Sequence, residues 1–189
     1  MKTIRISKQQ MAKRISRFAA LRPLPIQNES IPEKARDVVY ARKLLSVIGL
    51  DTATPISAEA PIRGAAGMTM TLAVCPPGQG PGLHSHRETY ETFTVLKGEF
   101  EVRWNDDGGE HEVLRQFDTI SFPPGVCRAF RNIGREEGIL QVLITGGVHD
   151  MNDIAFTHDA RREIEAVRPG LAAEFEKAGF TFNASEISR

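Results

Sequence analysis

The feature that most constrains this chain is a run of short apolar segments between residues 68 and 144, each closed by a turn cluster within about ten residues. Residues 68–74, 92–96, 100–104, 113–114, 119–122, 127–131 and 139–144 are rich in β-branched, aromatic and aliphatic side chains, which favour a pleated, half-buried surface. Between them stand Pro76-Pro77-Gly78, Lys97-Gly98, Asp106-Asp107-Gly108-Gly109, Pro123-Pro124-Gly125 and Gly146-Gly147. Segments this short leave no room for packed helices. Many short strands at regular spacing predict an all-β sandwich or barrel.

The flanks have a different texture. Residues 1–20 are basic throughout, with Lys2, Arg5, Lys8, Lys13, Arg14 and Arg17 and no acid. Met11, Ile15 and Phe18 fall at helical spacing, which predicts an amphipathic helix over residues 7–20. That helix either packs on the domain or a partner, or belongs to an organellar transit peptide. Ser30 and Glu33 have capping-box spacing, yet residues 38–40 and 44–48 are apolar enough for strand, so both states stay open there. After the β region, Asp159 is expected to cap a helix through Val167, Pro169 to break it, and Gly179 to end a second piece. The expected plan is an arm at 1–55, a barrel at 56–150 and a helical tail at 151–189.

Composition narrows the function classes. A chain of 189 residues can bury a core without disulfides, and Cys75 and Cys127 are read as reduced thiols of a cytoplasmic protein. Lys plus Arg number 24 against 24 Asp plus Glu, so net charge gives no support for bulk binding to nucleic acid or to an anionic membrane. No apolar run approaches the ~18 residues needed to span a bilayer, and no secretory signal is expected, because no uninterrupted apolar region follows Met1.

Chemistry concentrates in residues 78–98, GQGPGLHSHRETYETFTVLKG. On a strand, His84 and His86 project to the same face. Glu91 opens the next apolar run, and if the two strands lie side by side its carboxylate completes a set of two histidines and one carboxylate. Such a set suits iron(II), and also manganese, nickel, zinc or copper. Gly98 is placed to turn the hairpin beyond Glu91. Alone, two histidines flanking one residue are more often solvated than metal-bound; the weight rests on the whole spacing.

That spacing resembles the cupin superfamily, whose first motif, Gly-x5-His-x-His-x3-4-Glu-x6-Gly, is met at Gly78, His84, His86, Glu91 and Gly98. The resemblance implies a double-stranded β-helix (a jelly-roll barrel) for the core, flanked by the helical extensions read above from the residue pattern, with a divalent metal at His84, His86 and Glu91, and a homodimer. The second motif, Gly-x5-Pro-x-Gly-x2-His-x3-Asn, is met at Pro123, Gly125 and Asn132 but broken twice: Phe117 replaces the glycine and Arg128 the histidine that is the family's fourth ligand.

Arg128 cannot ligate, since guanidinium is a fixed cation with five donors and no acceptor. Two readings follow. Either three ligands hold the metal and Arg128 clamps an anionic substrate, or no metal binds and Arg128 pairs with Glu91. Alternation from Glu91 and Arg128 turns Phe93 and Phe130 inward with them, which predicts an apolar lining suited to a small organic acid. His149, after the last core run, and Glu88, at a nearby spacing, are the alternative site residues; His111 and His158 are expected at the surface. The leading expectation is an oxygenase acting on such an acid, with Arg128 as its catalytic and substrate-anchoring cation. A metal-free small-molecule binder or sensor is the alternative.

Overall fold

The structure is a computed structural model that describes residues 2–24, 30–50, 57, 59–64, 67–147 and 152–185. Its strands are β1 (Lys43–Gly49), β2 (Ile62–Arg63), β3 (Met68–Cys75), β4 (His84–His86), β5 (Tyr90–Lys97), β6 (Phe100–Trp104), β7 (Glu110–Leu114), β8 (Thr119–Phe122), β9 (Arg128–Asn132), β10 (Gly138–Thr145) and β11 (Ile154–Phe156). One sheet has the order β2-β1-β3-β10-β5-β8 and the other β11-β4-β9-β6-β7. Non-consecutive strands alternate between the sheets and all pairings but β1–β2 are antiparallel, which is the double-stranded β-helix that the sequence predicts.

Alternation does the folding work. Along β5 the pattern buries Glu91, Phe93 and Val95 and leaves Thr92 and Thr94 half-buried. Phe93, Val95, Phe100, Val102, Phe122, Phe130 and Leu140 fill the space between the sheets. Each such side chain, fully buried, stabilises the fold by roughly 1.5–3 kcal/mol. Gly98, at φ 91°, turns the chain from β5 into β6 of the other sheet, so the hairpin expected there is a crossing between sheets. The second motif's missing glycine has a physical trace. Phe117 holds the left-handed conformation at φ 76°, and its ring is 74 % exposed.

The barrel extends past both expected boundaries. β1 lies before residue 56 and is fully paired with β3, while β11 lies beyond residue 150 and pairs with β4. Residues 30–50 resolve the open choice in sequence order, with a helix, α2 (Glu33–Val39), followed by the strand β1. The N-terminal segment departs from expectation. Helix α1 covers only Lys8–Ala12, a 3-10 turn covers Phe18–Ala20, and neither buries a residue. Met11, Ile15 and Phe18 remain 46 %, 41 % and 57 % exposed, so the periodic stripe is not buried against the core. A short helix without tertiary packing is marginal, which accounts for the early stop.

The C-terminal tail forms α3 (His158–Val167) and α4 (Leu171–Lys177). The cap of α3 is Thr157, whose hydroxyl accepts from Ala160 N, and Asp159 sits inside the first turn instead. Gly179, at φ 96°, follows the end of α4. These helices and α2 build a second core from Val38, Val39, Phe156, Ile164, Leu171, Phe175, Phe180 and Phe182. No helix among the described residues is long and apolar enough to cross a membrane.

Candidate metal centre

The two cores meet at β4. Its three residues bury His84 and His86 and leave Ser85 half-buried. On one side β4 pairs with β11 over its full length, with His86 opposite Ile154 and His84 opposite Phe156. On the other side it touches β9 at a single register position, His84 opposite Arg128. Upstream, Gly78 N donates to Asn132 O and Asn132 N donates to Gln79 O, while the loop between bulges over β9. A Cβ at Gly80 would stand 1.9 Å from the Phe130 carbonyl oxygen, so only glycine passes there.

Three ligating side chains converge within this seam. His84, His86 and Glu91 each offer one donor atom, and these atoms lie within 4.8 Å of one another. Glu91 Oε2 is 3.5 Å from His84 Nε2 and 3.8 Å from His86 Nε2. Those spans are close to the ~3.4 Å ligand-to-ligand edge of a tetrahedron with bonds of about 2.1 Å. His84 Nδ1 lies 2.9 Å from the Gly82 carbonyl, which can only accept, so that nitrogen carries the proton. Nε2 of His84 therefore faces Glu91 with a lone pair. His86 is held at Nδ1 by Asp153 Oδ2 at 3.1 Å and Thr89 Oγ1 at 2.8 Å. Burial lowers the pKa of His86 against the pull of Glu91 and Asp153, which favours the neutral ring. Burial opposes ionisation of Glu91, but His86 when protonated, the Arg128 guanidinium and His84 when protonated outweigh it and hold the carboxyl well below its usual range. Lone-pair atoms thus converge on one point, and this donor set fits a divalent cation.

Arg128 is fully buried in the same seam. Its Nε donates to Glu91 Oε2 at 2.8 Å and its Nη1 to the Val126 carbonyl at 2.9 Å. Nη2 is buried with no hydrogen-bond partner among the described residues. His84 and Glu91 keep 7 % and 5 % of their surface open, so the cluster is all but closed to solvent.

The other expected site residues are placed differently. Phe93 and Phe130 pack edge-to-face on each other at 5.0 Å within the barrel core. Glu88 is exposed, and it is its backbone N–H that reaches the site's surroundings, donating to Asp153 Oδ1 at 2.7 Å. His111 and His158 are exposed, and His149 lies outside the described residues. Asp153 and Thr89 carry no motif spacing, and Asp153 arrives only through the pairing of β11 with β4, so sequence reasoning missed both. A cavity of about 640 Å³ lies outside this cluster, between α2, α3 and the loop preceding β4, lined by Arg42, Gln79, Arg103 and Arg131 among others.

A double-stranded β-helix with two histidines and a carboxylate on facing strands defines the class of this domain. Residues 71–144 match the family model described as Cupin domain, and the barrel belongs to the cupin superfamily. No curated protein matches the chain. Among solved structures, a Bacillus halodurans protein is 20 % identical, with a TM-score of 0.44, covering 47 % of this chain and 70 % of that one. An uncharacterized conserved protein with a double-stranded beta-helix domain from Klebsiella pneumoniae is 24 % identical, with a TM-score of 0.43, covering 48 % and 75 %. A predicted oxalate decarboxylase from Thermotoga maritima is 23 % identical, with a TM-score of 0.39, covering 42 % and 66 %.

Proposed function

We propose that this protein is a metal-dependent enzyme, an oxygenase acting on a small organic acid, with His84, His86 and Glu91 as ligands to iron(II) or a related divalent ion. The observation that carries the reading is the convergence of the two Nε2 atoms on Glu91 Oε2 while Gly82 O holds one ring and Asp153 the other. A bound ion of this kind supplies activation of dioxygen or polarisation of the substrate. Arg128 orients Glu91 through Nε and leaves Nη2 to take a carboxylate, for which a guanidinium fork is well shaped. The near-complete burial of the four side chains supports a small acid over a sugar or nucleotide. Free Cys75 and Cys127 support a reducing, cytoplasmic setting, and the exposed apolar residues of the N-terminal segment support a homodimer.

Metal analysis of anaerobically purified protein tests this. One equivalent of ion per chain, lost in His84→Ala and in His86→Ala, is the expected result. The 2.8 Å contact of Arg128 with Glu91 favours a second reading, a metal-free carboxylate-binding barrel. That reading replaces the first if divalent ions leave the melting temperature unchanged while a small carboxylate raises it.

A further inference from the structure

We infer that Asp153 is the positioning residue of the metal centre, fixing His86 in the one tautomer that can ligate, and that the C-terminal module thereby completes the site. The inference rests on the metal reading above. Among the described residues His86 Nδ1 lies 3.1 Å from Asp153 Oδ2 and 2.8 Å from Thr89 Oγ1. Asp153 Oδ2 is a carboxylate oxygen and can only accept. Thr89 donates its hydroxyl proton to that same oxygen over 2.5 Å, a charge-assisted bond, and so presents lone pairs to the ring. With acceptors on both sides, Nδ1 must carry the proton and Nε2 must be bare. Imidazoles that bind metals generally need such an outer partner to hold the ring and choose the nitrogen.

The carboxylate is itself firmly placed. Asp153 Oδ1 accepts from Glu88 N at 2.7 Å, and the Asp153 carbonyl accepts from Arg87 N at 2.8 Å. Asp153 is 6 % exposed and stands directly before β11. β11 in turn is anchored by Phe156, which packs on His84 at 5.2 Å between ring centres and on Phe180 and Phe182 of the second core. Among the strands before residue 150 only β9 pairs with β4, at one register position, so the second ligand depends on a residue delivered from beyond residue 150.

The Asp153→Asn variant is the test, because it keeps the shape. Its remaining oxygen is retained for Glu88 N, which leaves an amide donor facing His86 Nδ1 and inverts the tautomer. Cobalt(II) titration of chelated, full-length protein is expected to show affinity reduced tenfold or more, with a changed visible absorption spectrum. Thr89→Val, which removes only the hydroxyl, is expected to stay within threefold of wild type. Long-range ¹H–¹⁵N correlation on metal-free wild type gives a readout independent of any variant and is expected to show His86 protonated at Nδ1. A proton at Nε2 there, or unchanged cobalt affinity and spectrum in a folded Asp153→Asn variant, overturns the inference while leaving the metal centre standing. Failure of the wild type itself to take up cobalt overturns both.

Discussion

The two sheets of this barrel are built by opposite strategies. In the six-stranded sheet β3 and β10 pair without interruption over eight residues, from Gly138 opposite Cys75 to Thr145 opposite Met68. Its inner face is mostly aliphatic and aromatic, with Glu91 the charged exception. In the five-stranded sheet the ladder narrows to one register pair between β4 and β9, and buried polar side chains take over the joining. From that seam Arg128, His84 and His86 all reach Glu91 on β5 of the other sheet, with Asp153 and Thr89 behind His86. Hydrophobic packing is tolerant and non-directional, whereas a buried polar network fails when one member is lost. The continuous sheet is joined by backbone pairing and apolar packing, and the seam carries the candidate metal site.

The sharpest way to break this contrast is Arg128→Ala. Removing one partner of a buried ion pair leaves Glu91 uncompensated and is expected to cost about 3–5 kcal/mol in chelator. Denaturant unfolding checks it, and an added divalent ion is expected to recover part of the loss. In the continuous sheet, Leu140→Ala is expected to cost about 2–5 kcal/mol by opening a cavity, yet to leave metal stoichiometry unchanged below the melting transition. Loss of metal from folded Leu140→Ala would show that the two sheets are not separable.

Acid offers a gentler probe of the seam. Glu91 and Asp153 both have carboxyls held below their usual range, so in mild acid the unfolded chain binds protons that the native state refuses. Their contribution is present above the ordinary carboxylate range of ~4 and is lost as pH falls through it toward the native values. Melting curves between pH 7 and 3 are expected to show this decline, and Asp153→Asn to flatten it. The smallest effect lies away from the seam. Phe117→Gly restores the residue best suited to φ 76° and is expected to raise stability by up to about 1 kcal/mol, read as a modest rise in melting temperature.

Much of this was readable in the chain itself. Seven short runs and their turn clusters located seven of the barrel strands, because alternation and glycine or proline turns are local signals. The first motif brought His84, His86 and Glu91 to one point, though not through the side-by-side strands expected: β4 and β5 lie in different sheets, and the three side chains meet across the space between them. What escaped depends on contacts distant in sequence. β1 looked as much like helix as strand, and only its pairing with β3 decides it. Met11, Ile15 and Phe18 have helical spacing yet stay about half exposed, and periodicity alone does not reveal how much of a stripe is buried. Thr157 caps α3 where Asp159 was expected, a shift of two residues that local composition does not encode. Asp153 is the largest omission, since a carboxylate some sixty positions downstream of Thr89 announces itself only when β11 folds back on β4.

In the β6–β9 register, Trp104 stands opposite Arg128, and it is the only tryptophan in the sequence. Its ring lies against Phe122 at 6.4 Å, half-buried at the rim of the seam. The chain thus carries a built-in optical reporter: emission from one indole, without labels, follows filling, emptying or rupture of the neighbouring charge cluster.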